Sequence, residues 1–177
     1  WMGGSGRNIP SFEIYTSPDW RGTEGWIRFS EPLYRYGNLI TGIELWFKDG
    51  KVVKSKAKQN EKVLKGMIAT KNADKIGEYS LTDKRFSRIT KFMAETLFDE
   101  NVGGKYGNTH LALGNAYHDC FTEDPTQMTE EDWEELGFNS SSVHTDIVST
   151  TPRTVTAYMK DGSTEVIYKD GQFTFLK

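Results

Sequence analysis

Over most of the chain, apolar and polar residues alternate in short runs punctuated by Gly, Pro or Asp. Residues 12–16 are aromatic or β-branched around a single Glu13, are bounded by Pro10 and Pro18, and predict a short strand. Residues 26–29 predict another, stopped by Pro32. Between Gly42 and Lys58, Ile43, Leu45 and Phe47 alternate with polar or large residues, and Asp49-Gly50 then turns the chain into Val52-Val53. Asp-Gly between two alternating runs is a strong hairpin signal, because both residues tolerate the left-handed backbone of a tight turn. Asp161-Gly162 and Asp170-Gly171 repeat the device among residues 155–159, 166–168 and 173–176, which predicts an antiparallel meander.

Three segments change period. Residues 60–70 place Val63, Leu64, Met67 and Ile68 at helical spacing, with Asn60 available as an N-cap. Residues 86–97 place Phe86, Ile89, Phe92, Met93 and Leu97 along one side. Thr129-Glu130-Glu131-Asp132 opens a third helix in the manner of a capping box, with acids in its first turn and Gly137 as its stop. These apolar stripes read as core faces. The expected fold class is α+β, an antiparallel β-rich domain with a hairpin meander and about three helices.

The length of 177 residues suits one domain with a real core. A net charge of −3 provides no basic field, which argues against nucleic acid or an anionic membrane as partner. No apolar run approaches the roughly 20 residues of a membrane-spanning helix, and no secretory signal is evident. The single cysteine, Cys120, favours a reducing compartment and has no neighbour in sequence that would activate its thiol. Gly-rich residues 1–7 read as a linker or a cloning remnant, and residues 8–177 as the domain proper.

Candidate chemistry gathers on a few residues. His144 and Asp146 stand two apart in an apolar, β-branched run, so a strand would present both on one face. That pair suits a borderline divalent cation, or else a hydrogen bond that holds a core histidine. His110 follows a Gly-rich turn; Tyr117 lies near it if the segment coils and diverges if it is extended. His118, beside Asp119, reads as a solvated surface residue. Glu13 and Glu78 interrupt apolar strands and need a partner if buried, or simply alternate outward. Glu100 falls at the end of the helix expected near Leu97, where an acid opposes the dipole and hints at a nearby cation. Together these residues could supply a two-metal centre. Gly-x-Ser-x-Gly, phosphate-loop, His-Glu-x-x-His and Cys-x-x-Cys patterns are absent from the sequence. Trp20, Trp26 and Trp46 could line a sugar platform, although aromatic residues in strands are more often core.

Several motifs in one order add a resemblance. Asn8-Ile9-Pro10-Ser11-Phe12-Glu13-Ile14-Tyr15-Thr16-Ser17-Pro18-Asp19 resembles a motif of the thermophilic metalloaminopeptidases of the aminopeptidase S, aminopeptidase T and PepS type. So do Thr96-Leu97-Phe98-Asp99-Glu100-Asn101, His110-Leu111-Ala112-Leu113-Gly114 with Ala116-Tyr117, and Val143-His144-Thr145-Asp146. The resemblance implies a cytoplasmic enzyme, a homodimer or larger, that acts on peptides with a free N-terminus. It implies two divalent ions, zinc or cobalt, held by Glu13, Glu78, Glu100, His110, His144 and Asp146. Glu100 would be a ligand or the proton carrier, and Tyr117 the active-site tyrosine. Residues 102–109 form a longer link than the family pattern has. Members of the family also carry an N-terminal α/β domain, so this sequence is expected to be a catalytic portion with weak activity on its own. A metal-free interaction domain of the same fold is the competing expectation.

Overall fold

The alternating runs form strands that assemble, in the computed structural model, into four antiparallel sheets; residues 11, 13–94 and 96–176 are described. In chain order the elements begin with β1 (Ile14–Thr16), β2 (Gly25–Arg28), β3 (Leu33–Arg35), β4 (Asn38–Ile40), β5 (Glu44–Lys48), β6 (Lys51–Lys56) and α1 (Glu61–Ile68). There follow β7 (Ile76–Thr82), α2 (Thr96–Asp99), β8 (Asn108–Gly114), α3 (Glu130–Glu135) and β9 (His144–Ser149). The chain ends with β10 (Thr154–Tyr158), β11 (Thr164–Lys169) and β12 (Gln172–Phe173). The class is α+β. Residues 1–7, expected as a linker or remnant, and residues 8–10 of the first motif lie outside the described residues.

The central sheet has the order β1-β7-β8-β9. One of its faces is apolar. Leu111, Leu113 and Ile147 pack there with Leu45 and Phe47 of the β2-β5-β6 sheet and with Leu64 and Met67 of α1. Alternation along each strand leaves its opposite face free for polar residues, and the candidate site lies on that face. The meander β10-β11-β12 forms as expected and docks on β7 through Leu81, Tyr168 and Phe173. The buried Tyr168 hydroxyl donates to the Thr82 carbonyl at 2.8 Å.

Asp49-Gly50, Asp161-Gly162 and Asp170-Gly171 all fall between paired strands, β5-β6, β10-β11 and β11-β12. The capping box of α3 is formed, with Thr129 Oγ1 accepting from the Asp132 amide and the Asp132 carboxylate accepting from the Thr129 amide. Asn60 precedes α1 in a left-handed conformation (φ 56°), and its side chain does not cap the helix. It donates to the Leu39 carbonyl instead, tying α1 to β4.

Of the about three helices expected, the one over 86–97 does not form; only the single turn α2 falls at its end. Local side-chain bonds compete for its backbone. Asp83 accepts from the Arg85 amide and Ser87 Oγ from the Ile89 amide, while Asp99 accepts from the Met93 amide. Its apolar residues also disperse: Ile89 is buried with Val102 and Val148, Phe92 stacks on Tyr34, and Met93 is exposed. Trp26 departs from the expectation that strand aromatics are core. It is 51% exposed and pairs with Trp46 on the outer face of the β2-β5-β6 sheet. Arg28 lies over its ring, and Lys54 and Lys56 over that of Trp46. Among the described residues, no helix is long and apolar enough to cross a membrane.

At the end of β8 the backbone requires glycine. Gly114 has φ 103°, and a Cβ there would lie 1.9 Å from the Val143 carbonyl oxygen. This close approach brings the start of β9, and with it His144, against β8. Gly114→Ala is expected to destabilise the fold by about 1–3 kcal/mol, through overpacking and a strained φ. A urea midpoint unchanged from the parent would contradict that role.

Candidate metal centre

Three neighbouring strands build the site through their register. Across the sheet Glu78 pairs with Ala112 and Ala112 with Asp146, so the two carboxylates flank a methyl group in one row. One row away His110 pairs with Ser80 and Val148, and one row the other way His144 pairs with Gly114. Residues two apart on a strand share a face, so Glu78, Ser80, His110, His144 and Asp146 all project to the same side. Ala112 and Gly114 leave room above the middle strand. Glu13, just before β1, completes the group from the sheet edge.

The side chains converge closely. His110 Nε2 lies 3.1 Å from Glu78 Oε1, 3.5 Å from Glu13 Oε2 and 3.7 Å from Asp146 Oδ1. His144 Nε2 lies 3.3 Å from the other Glu78 oxygen, Oε2, and 3.4 Å from Asp146 Oδ1. Two triads result, Glu13-Glu78-His110 and Glu78-His144-Asp146, each with donor atoms within 4.8 Å of one another. Glu78 belongs to both.

Both rings are oriented from behind. His110 Nδ1 donates to the Glu100 carbonyl at 2.8 Å, and His144 Nδ1 donates to the Asn115 carbonyl at 2.7 Å. A carbonyl only accepts, so each Nδ1 carries the proton and each Nε2 is the atom offered to the cluster. Ser80 Oγ donates to Glu13 Oε2 in the buried interior.

Electrostatics show what the cluster lacks. Burial alone would lower the imidazole pKa values, but the carboxylates outweigh it. His110 is raised well above the usual range by Glu78, Glu13 and Asp146, and His144 is raised to about 10 by Asp146 and Glu78. Burial pushes Glu78 and Asp146 upward, yet the facing imidazoles bring both below the ordinary carboxylate value. For Glu13 burial prevails and its pKa is raised. Without a cation, protons on the imidazoles therefore compensate the buried acids. A divalent ion supplies the same compensation and displaces those protons. His144 Nε2 and Asp146 Oδ1 are buried and, despite their proximity, neither has an aligned hydrogen bond. Orphaned donor and acceptor atoms facing one another fit a missing cation. Imidazole nitrogen and carboxylate oxygen, with no thiolate, suit zinc, cobalt or a similar borderline ion.

Glu100 and Tyr117 adjoin the triads without joining them. Burial and the Asp146 charge raise the Glu100 carboxyl to about 8, and that carboxyl hydrogen-bonds Asp146. Although β8 is extended, the chain folds back after Gly114 and places the Tyr117 ring 4.6 Å from that of His144. Tyr15 meets Tyr117 edge-on at 5.8 Å, and Ser17 Oγ accepts from the Tyr117 amide. Burial, with Glu78, Asp146 and Glu100, raises the Tyr117 phenol, which stays protonated as a donor. His118 is exposed as expected, but it stacks flat on Trp133 at 4.0 Å and takes no part in the cluster. The Cys120 thiol is raised by burial, away from the reactive range.

Ser80 and Asn115 were not singled out in the sequence. Ser80 was accessible to the period-2 argument, standing two residues after Glu78. Asn115 acts through its carbonyl, which no side-chain pattern reveals.

Known proteins share this chain's sequence and fold. The family model described as thermophilic metalloprotease (M29) matches residues 1–173. Aminopeptidase PepS of Streptococcus thermophilus is 37% identical over 172 residues, which cover 94% of this chain and 40% of the relative. Aminopeptidase T of Thermus aquaticus is 30% identical over 186 residues, covering 98% and 44% respectively. The solved structure of wild-type AmpT from Thermus thermophilus matches with a TM-score of 0.79 at 29% identity, over 92% of this chain and 39% of that one. The chain thus spans about two fifths of the length of these relatives. With a match that runs from residue 1 to residue 173, the chain belongs to the thermophilic metalloprotease (M29) family.

Proposed function

We propose that residues 8–177 are the metal-binding catalytic domain of an aminopeptidase that releases N-terminal residues from peptides by means of two divalent ions, zinc or cobalt. The observation that carries this reading is the position of Glu78, whose two oxygens each face a different histidine within 3.3 Å. Glu13 and His110 would hold one ion, His144 and Asp146 the other, and Glu78 both. Such a pair supplies positive charge that polarises a carbonyl and makes water nucleophilic near neutral pH.

The protein's own groups do the rest. Glu100, held at about 8, keeps its proton at neutrality and gives it readily, which suits transfer to a leaving amine. Tyr117 keeps its hydroxyl proton for donation to the oxygen that gains charge in the transition state. Its ring is fixed between His144 and Tyr15, so little ordering remains to be done during reaction. Cytoplasmic location fits the free thiol of Cys120. Exposed Tyr34, Tyr158 and Phe175 support association into a homodimer or larger assembly.

Equilibrium dialysis against zinc or cobalt, followed by elemental analysis, is expected to give two ions per chain. His144→Ala is expected to retain one and Glu78→Ala fewer than one. A folded parent protein that retains no metal at saturation would leave only the metal-free interaction domain. For catalysis, Tyr117→Phe is expected to lower turnover of a leucyl anilide by about 100-fold or more while both ions stay bound. Full activity in that variant, or hydrolysis that persists without metal, would place the chemistry elsewhere.

A further inference from the structure

On the other face of the central sheet lies a cation that the metal centre does not use. Arg153 sits in the link between β9 and β10, with its Nη2 within hydrogen-bonding distance of the carbonyl and hydroxyl oxygens of Ser149 and Thr151. Its Nη1 is buried and has no hydrogen-bond partner. Among the described residues, Asp19, Glu44 and Asp83 form the ion pairs made by arginines, and none of them is with Arg153. Nothing anionic is at hand to offset its burial, and the guanidinium is destabilised by desolvation. A buried charge without a counter-ion is costly, and proteins ordinarily pair it.

Beside this guanidinium is a cleft of about 440 Å³. Trp26, Ile27, Pro152 and Val155 give it apolar walls, and Thr154 and Arg28 add polar groups. Arg28 is already engaged by Glu44 at 2.8 Å. Alternation places the cleft opposite the metal centre: Tyr79, Thr109 and Ser149 line it, and each has the opposite parity to Glu78, His110 and Asp146 on its own strand.

We propose that this cleft binds a small monocarboxylate with an apolar or aromatic body, its carboxylate paired with Arg153. The planar guanidinium presents two parallel donors that match a carboxylate in geometry and charge. One unpaired cation matches one negative charge. A phosphate dianion would meet only that single free cation, with Glu44 repelling it from the rim. The apolar walls and the exposed face of Trp26 suit the body of such a ligand. The site is separate from the proposed aminopeptidase centre and does not depend on that reading.

The test is a titration of the metal-loaded protein with sodium benzoate in chloride-free buffer, followed by amide ¹H–¹⁵N chemical shifts. Saturable shifts are expected at Thr151, Arg153 and Val155. Arg153→Lys keeps the charge but not the fork, and is expected to weaken binding roughly tenfold or more with metal content unchanged. If that variant does not fold, the parent titration decides alone. Inorganic phosphate is expected to give no saturable shift at these amides. Benzoate shifts that are absent, that centre on His144 and Asp146 instead, or that persist unweakened in folded Arg153→Lys would overturn the site. Phosphate binding as tight as benzoate would overturn the assigned ligand class.

Discussion

The structure is organised around the burial of three carboxylates and two imidazoles on one face of a four-stranded sheet. Glu13, Glu78 and His110 are almost inaccessible to water, and Asp146 is little more exposed. Such a group is expensive unless each charge meets its opposite within a few ångströms. The register of β7, β8 and β9 meets that condition, because it sets Glu78 between His110 and His144. A slip of one residue in any of these strands would turn its ligands into the apolar core. Ala112 and Gly114 matter for the same reason, since larger side chains in the middle strand would fill the space where the acids converge.

The two faces of the sheet therefore have different tasks. The apolar face packs against α1 and the β2-β5-β6 sheet and gives rigidity to strands that hold the ligands on the other face. Behind the ligands, the carbonyls of Glu100 and Asn115 fix both imidazoles in the tautomer that offers Nε2. Glu100 thus acts twice, orienting His110 through its backbone and holding a proton on its side chain near neutrality.

What could be read in the sequence was what is local. The three Asp-Gly hairpins, α1 and α3 depend on neighbouring residues, and each was recognisable from its turn or capping chemistry. His144 and Asp146 were readable as a pair because a strand alternates. For Glu13 and Glu78, burial and outward alternation were equally open, since the answer depends on pairing between strands remote in sequence. The apolar stripe over 86–97 misled because Asp83, Ser87 and Asp99 satisfy that backbone by side-chain bonds. Trp26 misled because cations, rather than core residues, cover its ring. The resemblance named the candidate ligands correctly as a neighbourhood, while the supporting carbonyls emerged only with the fold.

The central claim is that Glu78 joins two ion sites into one centre. X-ray absorption at the cobalt edge of protein loaded to saturation measures this directly. The account predicts mixed nitrogen and oxygen ligation at about 2.0–2.2 Å, as such ligands give with zinc, and a metal–metal distance of about 3.5–4 Å that disappears in Glu78→Gln. A spectrum of isolated ions, with no metal–metal scattering in fully loaded parent protein, would contradict it.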